Sequence, residues 1–111
     1  MNDPSAACME AGSQVDVKIC LAGSYERADA ELNETYRRIM SALDEAEKTS
    51  LRAAQRAWVT YRDKACEAEA EPYRGYSGEG TARLACLEAA TRQRTQFMRT
   101  GLWWKVEKFL E

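Results

Sequence analysis

Leu51-Arg52-Ala53-Ala54-Gln55-Arg56-Ala57-Trp58-Val59-Thr60-Tyr61-Arg62-Asp63-Lys64-Ala65-Cys66-Glu67-Ala68 decides the fold. Leu51, Ala54, Trp58, Tyr61, Ala65 and Ala68 follow one another at steps of three and four, so all six share one stripe of a helix. That spacing predicts a long core helix reaching about Glu71, with Leu51, Trp58 and Tyr61 packed inside. Pro72 stops it, because a proline has no amide hydrogen to donate and clashes with the preceding turn.

Working outward, Tyr73-Arg74-Gly75-Tyr76-Ser77-Gly78-Glu79-Gly80 is the segment where glycines and turn formers gather, and 72–81 reads as a loop. Thr81 is placed to cap a further helix carrying Leu84, Leu87, Ala90, Arg94, Phe97 and Met98. Gly101 marks its weakening, and Trp103, Val106 and Phe109 predict a last turn or two that folds back. Upstream, Asp44 with Glu47 forms a capping-box signature, with Thr49-Ser50 an equally good start. Tyr25, Ala28, Leu32, Tyr36, Ile39, Met40 and Leu43 give an amphipathic helix over roughly 24–43. Ser13, with Asp16 three residues on, opens a short helix through Cys20, after an irregular 1–12. Internal repeats and strand-like alternation are absent. The fold class is all-α: a small antiparallel bundle of three main helices, a short N-terminal helix and a C-terminal extension over 99–111.

Composition narrows the function. A chain of 111 residues suits a single domain, 1–111. A net charge of −2 argues against a nucleic-acid binder, which needs an excess of Lys and Arg. The charge is uneven: 1–50 carries ten acids and five bases, 51–111 eight acids and eleven bases, so the molecule is expected to present an acidic end and a basic end. Histidine is absent, which removes Ser-His-Asp and Cys-His catalysis and His-containing metal sites. Paired carboxylates of a glycosidase need a cleft that a small bundle does not offer, so no catalytic residue, metal or cofactor is expected.

Four cysteines, Cys8, Cys20, Cys66 and Cys86, are spaced too widely for a zinc site and suit disulfides. Of three possible pairings, Cys8–Cys20 with Cys66–Cys86 is favoured, since each joins neighbouring elements and closes a short loop. Disulfides imply export, yet Met1-Asn2-Asp3-Pro4 has neither basic region nor apolar run. Met1 is therefore read as standing in for a removed leader, and Leu110-Glu111 as an appended remnant. No stretch is apolar enough for a membrane span. Ser5-Ala6-Ala7-Cys8 faintly resembles a lipoprotein cleavage site, but lipidation of Cys8 would leave Cys20 unpaired.

Several groups of residues together resemble the lysozyme inhibitor LprI family of small secreted bacterial proteins. They are Cys8 and Cys20; Tyr25-x-x-Ala28-Asp29-x-x-Leu32-Asn33-x-x-Tyr36; Leu51-x-x-Ala54-Gln55-Arg56-Ala57-Trp58-Val59-x-Tyr61-Arg62-Asp63-x-x-Cys66; and Cys86 with Thr91-x-x-Arg94. The match covers about 8–98. It departs from the family's Gly-Gly-Ser-like stretch, which here reads Ser77-Gly78-Glu79-Gly80-Thr81. The resemblance implies an exported, disulfide-bonded helical protein of periplasm, envelope or medium, with a lysozyme as its protein partner.

The residues sort accordingly. Asp29, Asn33, Gln55, Arg62, Asp63, Thr91 and Arg94 are expected to form a structural polar network. Within it, Arg62 would pair with Asp29 or Glu34, and Asn33 would bond the facing helix. Glu67, Glu69 and Glu71 read as a solvated helix end. The candidate binding residues are Tyr73, Arg74, Tyr76 and Ser77, in a loop that a Cys66–Cys86 bridge would tether. The alternative is an envelope interaction or structural protein without inhibitory activity, which exposed Trp103 and Trp104 would favour.

Overall fold

The computed structural model describes Cys8, Glu10 and residues 12–110, with side chains as far as Lys108. The readings of Met1 to Ala7 and of the Phe109, Leu110 and Glu111 side chains lie outside these residues. Among the described residues run three long helices, α1 (Gln14–Ser41), α2 (Glu45–Ala70) and α3 (Gly78–Leu110), with a 3-10 turn at Glu71–Tyr73. The described residues contain no strand. Both favoured disulfides are present, Cys8–Cys20 and Cys66–Cys86.

Local chemistry sets the boundaries. Ser13 Oγ accepts from the Asp16 amide at 3.1 Å while Asp16 accepts from the Ser13 amide at 3.4 Å, which closes a capping box on α1. Asp44 and Glu47 do the same for α2 at 2.8 and 2.9 Å, so that helix starts there and not at Thr49-Ser50. Several boundaries differ from the sequence reading. The short helix 13–20 does not stop: α1 runs on through Gly23 to Ser41, because nothing between Cys20 and Ser24 removes a backbone donor. Likewise α3 runs straight through Gly101, whose lost propensity is worth only about 1 kcal/mol against the packing of Leu102, Trp103 and Val106.

The helices run up, down, up, so α1 and α3 are parallel. Their N-termini meet where Thr81 Oγ1 donates to Gln14 Oε1 at 3.2 Å, and their far ends meet where Arg38 lies 5.0 Å over the Trp103 ring. Thr81 is thus not an N-cap but a buried residue inside α3, which already begins at Gly78. The α1 and α3 backbones share most of the tertiary contact, α2 leans on α3, and α1 and α2 hardly approach each other. The result is flattened, 49 × 26 × 16 Å.

Two apolar clusters hold it. Leu32, Ile39, Leu43, Leu51, Met98 and Val106 form the larger, and Cys8, Val17 and Leu21 the smaller. Between them, buried polar residues occupy the α1/α3 waist: Thr35, Glu88, Thr91 and Thr95. Glu88 is fully buried and ion-paired with Arg92 one turn on.

The α2 stripe corrects the sequence reading most sharply. Leu51 is buried and Trp58 half-buried, but Ala54 and Ala68 are exposed and Tyr61 is 69% exposed. With α3 as its main neighbour, α2 has too little surface opposite it to cover a whole heptad stripe. Phe97, expected on the buried face of α3, is 71% exposed.

Candidate functional site

The α2–α3 connection builds an exposed tip. Pro72 sits in the 3-10 turn, where its missing amide hydrogen costs nothing, and the turn closes through Arg74 N–H to Glu71 O at 3.0 Å. Gly75 follows with φ +83°, a backbone conformation that a side chain would strain. Tyr76 N–H donates to Tyr73 O at 2.9 Å and Glu79 N–H to Tyr76 O at 3.2 Å, leading into α3. The predicted loop 72–81 therefore shrinks to 74–77 between helical segments. Gly78 lets the Tyr73 ring lie against the start of α3, since a Cβ there would stand 3.3 Å from Tyr73 Cδ1.

The four predicted binding residues come together at this tip. Tyr73 is 49% and Tyr76 75% exposed, and Arg74 and Ser77 are exposed beside them. Arg74 already donates to Glu71 Oε2 at 2.7 Å in an open ion pair. Glu79 braces the turn from inside α3, accepting from Arg83 at 3.2 Å and from the Gly75 amide at 3.3 Å. These bonds, Arg83 first, hold its carboxyl below the usual glutamate value. Beneath the tip, the buried Cys66 sulfur bridges to Cys86, with a Cα–Cα distance of 5.4 Å. Cys66, Glu69 and Cys86 are the group of potential metal ligands that converge among the described residues, but the bridge consumes both sulfurs. Glu67, Glu69 and Glu71 are solvated, as expected, around a buried Ala70.

The seven polar residues expected to form one network separate into local groups. Arg62 pairs with its neighbour Asp63 at 3.0 Å and lies over the rings of Trp58 and Tyr25; it meets neither Asp29 nor Glu34, and Glu34 pairs with Arg37. Asn33 donates to Asp29 at 3.4 Å within α1, on an exposed face, and does not cross to another helix. Gln55 and Arg94 do bridge two helices, Nε donating to Oε1 at 3.0 Å. Burial draws the Arg94 pKa down from its ordinary value, yet an arginine remains cationic at neutral pH. Thr91 is fully buried in the α1/α3 waist. Glu88 and Thr95 share one stripe of α3 with Thr91 and Met98, at positions 88, 91, 95 and 98, a helical spacing that their polarity masks in the sequence.

Fold and tip together define a small helical protein clamped by disulfides, a construction that fits export to an oxidising compartment. No described helix is long and apolar enough to cross a membrane. The chain belongs to the lysozyme inhibitor LprI family, whose model matches residues 5–98. It is also 39% identical, over 105 aligned residues, to an uncharacterized protein of Rhizobium meliloti (strain 1021), with 83% of this chain and 76% of that protein covered. No solved structure matches it.

Proposed function

We propose that this protein acts outside the cytoplasm, where it binds a lysozyme-type cell-wall hydrolase and blocks it by inserting the tip 72–81 into the cleft. The observation that supports this reading is the exposure of Tyr73 and Tyr76 on a short, internally hydrogen-bonded turn whose flanking helices are clamped by Cys66–Cys86. A tethered turn loses little conformational freedom on binding, and tyrosine and arginine are enriched among residues that dominate interface energies. Lysozyme catalysis uses two carboxyl groups across the cleft, so Arg74 supplies a complementary charge. Its present partner Glu71 is solvent-exposed, and exposed pairs are worth only ~0–1 kcal/mol, so exchanging partners costs little. Ser77 adds a hydroxyl donor at the same tip.

The test is a titration of oxidised protein against lysozymes, with cell-wall lysis and binding heat read together. Combining Arg74→Ala and Tyr76→Ala should abolish inhibition while leaving the melting temperature in place. Full inhibition by that double variant would overturn the tip reading. A second reading, a non-inhibitory envelope partner, rests on Trp104, which is 54% exposed with Lys105 stacked on it. Binding to an envelope protein that survives the tip double variant and is lost in Trp104→Ala would favour it.

A further inference from the structure

Between α2 and α3, on a face separate from the tip, lies an open groove of about 680 Å³. This is within the ~300–1,000 Å³ typical of small-ligand sites. Its two banks differ in chemistry. The α2 bank is aromatic, with half-buried Trp58 and exposed Tyr61. The α3 bank alternates an exposed ring, Phe97, with the amides of Gln93 and Gln96 and the guanidinium of Arg94. No carboxylate lines the groove among the described residues.

Arg94 gives the groove its charge. Its Nε is fixed by Gln55, and its guanidinium lies 5.8 Å from the Trp58 ring centre and 5.6 Å from that of Phe97. Among the described residues it forms no ion pair. The terminal nitrogens of a guanidinium held by Nε carry four further N–H donors, a fork matched to a carboxylate. Rings on both banks, amides on one and an oriented cation among them suit a chain of sugar rings: apolar ring faces stack on aromatics, and hydroxyls and acetamides pair with glutamine. The apolar face of an amphipathic helix would bury the amides of Gln93 and Gln96, of which Gln96 reaches only Thr100 at 3.4 Å, at a cost of a few kcal/mol.

We propose that this groove is a binding site for an oligosaccharide that carries carboxylate groups. Tyr61 and Phe97 stack the sugar rings, Trp58 backs the Arg94 guanidinium, Arg94 receives a carboxylate, and Gln93 and Gln96 hydrogen-bond the ring substituents. The site is independent of the inhibitory tip.

Two tetrasaccharides test this: one alternating N-acetylglucosamine and N-acetylmuramic acid, and chitotetraose, which shares its rings and acetamides but has no carboxylates. Each is titrated into the oxidised full chain, with tryptophan fluorescence and binding heat as readouts and no lysozyme present. The acidic sugar should saturate the groove and bind roughly tenfold tighter than the neutral one, the worth of one charge-assisted paired contact. Arg94→Gln should erase that difference. Tyr61→Ala and Phe97→Ala, both on exposed side chains that leave the fold intact, should weaken both sugars. The double substitution of Arg74 and Tyr76 at the tip should change neither, so failure here and failure of the inhibitory reading are separable. Absence of saturable binding by either sugar at millimolar concentration would overturn the site. So would binding that Tyr61→Ala, Phe97→Ala and Arg94→Gln all leave unchanged, or tighter binding of an acidic Leu-Glu peptide, which would make the groove a protein-docking face.

Discussion

On the side of α3 turned to α1, Thr81, Glu88, Thr91, Thr95 and Met98 are buried; on the side turned to α2, Phe97 stands 71% exposed opposite an exposed Tyr61. Ranked by hydropathy alone, the two sides would be exchanged. What decides is how closely each neighbour approaches. The parallel helices α1 and α3 run together along their length and exclude water even from threonines and a glutamate, whereas α2 leans on α3 and leaves its aromatic residues open. The α1–α3 interface buries most of the core, and the α2–α3 seam leaves aromatic surface exposed.

A pair of truncations would break that contrast if it were wrong. Ile39→Ala removes a fully buried side chain from the larger apolar cluster and should cost ~2–5 kcal/mol, read by denaturant unfolding. Tyr61→Ala removes a larger side chain from the seam and should fall within about 0.5 kcal/mol of the parent, as exposed substitutions do. Comparable losses for both would mean that the seam closes in solution and that α2 shares the core equally.

The same contrast explains what the sequence discloses. Ala28, Leu32 and Ile39 are apolar at helical spacing and buried, so the packed face of α1 is legible. The α2 stripe is just as periodic, and its helix is where the spacing puts it, but periodicity says which residues share a face and not whether anything covers that face. The buried stripe of α3 escapes notice for the opposite reason, since Thr81, Glu88, Thr91 and Thr95 carry no hydrophobic signal. The tip is legible as a turn from Pro72 and Gly75, and its tether from the cysteine spacing. The groove is not, because Gln55 and Arg94 meet across thirty-nine positions of chain. The capping boxes at Ser13 and Asp44 are fully local and could be read directly.

The polar waist offers a sharper and smaller test. Among the described residues, the hydroxyls of Thr35 and Thr91 are buried without a hydrogen-bond partner. An unpaired buried hydroxyl costs ~1–3 kcal/mol, while an apolar group of the same shape avoids that cost. Thr91→Val should therefore leave stability unchanged or raise it by about 1 kcal/mol, read as a shift of the unfolding midpoint at constant slope. A loss above that size would show that the hydroxyl has a partner, such as a bound water, and that the waist is a satisfied polar layer.

The smallest expected effect belongs to the seam. Glu47 closes the capping box of α2 and also meets Lys105 of α3 at 2.9 Å. The Asp44 amide and then Lys105 hold its carboxyl below the usual glutamate value of 4.5. A carboxylate whose pKa is lowered by folding stabilises the fold above its unfolded value, and this contribution fades as pH falls through the folded value. Acidification from neutral pH to below about 4 should therefore loosen the start of α2 against α3, seen as lower amide protection at residues 44–48 relative to the intrinsic exchange rate at each pH. Glu47→Gln should show faster exchange there already at neutral pH and flatten the acid dependence of those amides. Because the carboxylate is exposed, global stability should hardly move. If instead the α1 and α3 amides lose protection in step with those of α2, the two interfaces unfold as one cooperative unit, and the openness of the seam is a matter of surface exposure without independent motion.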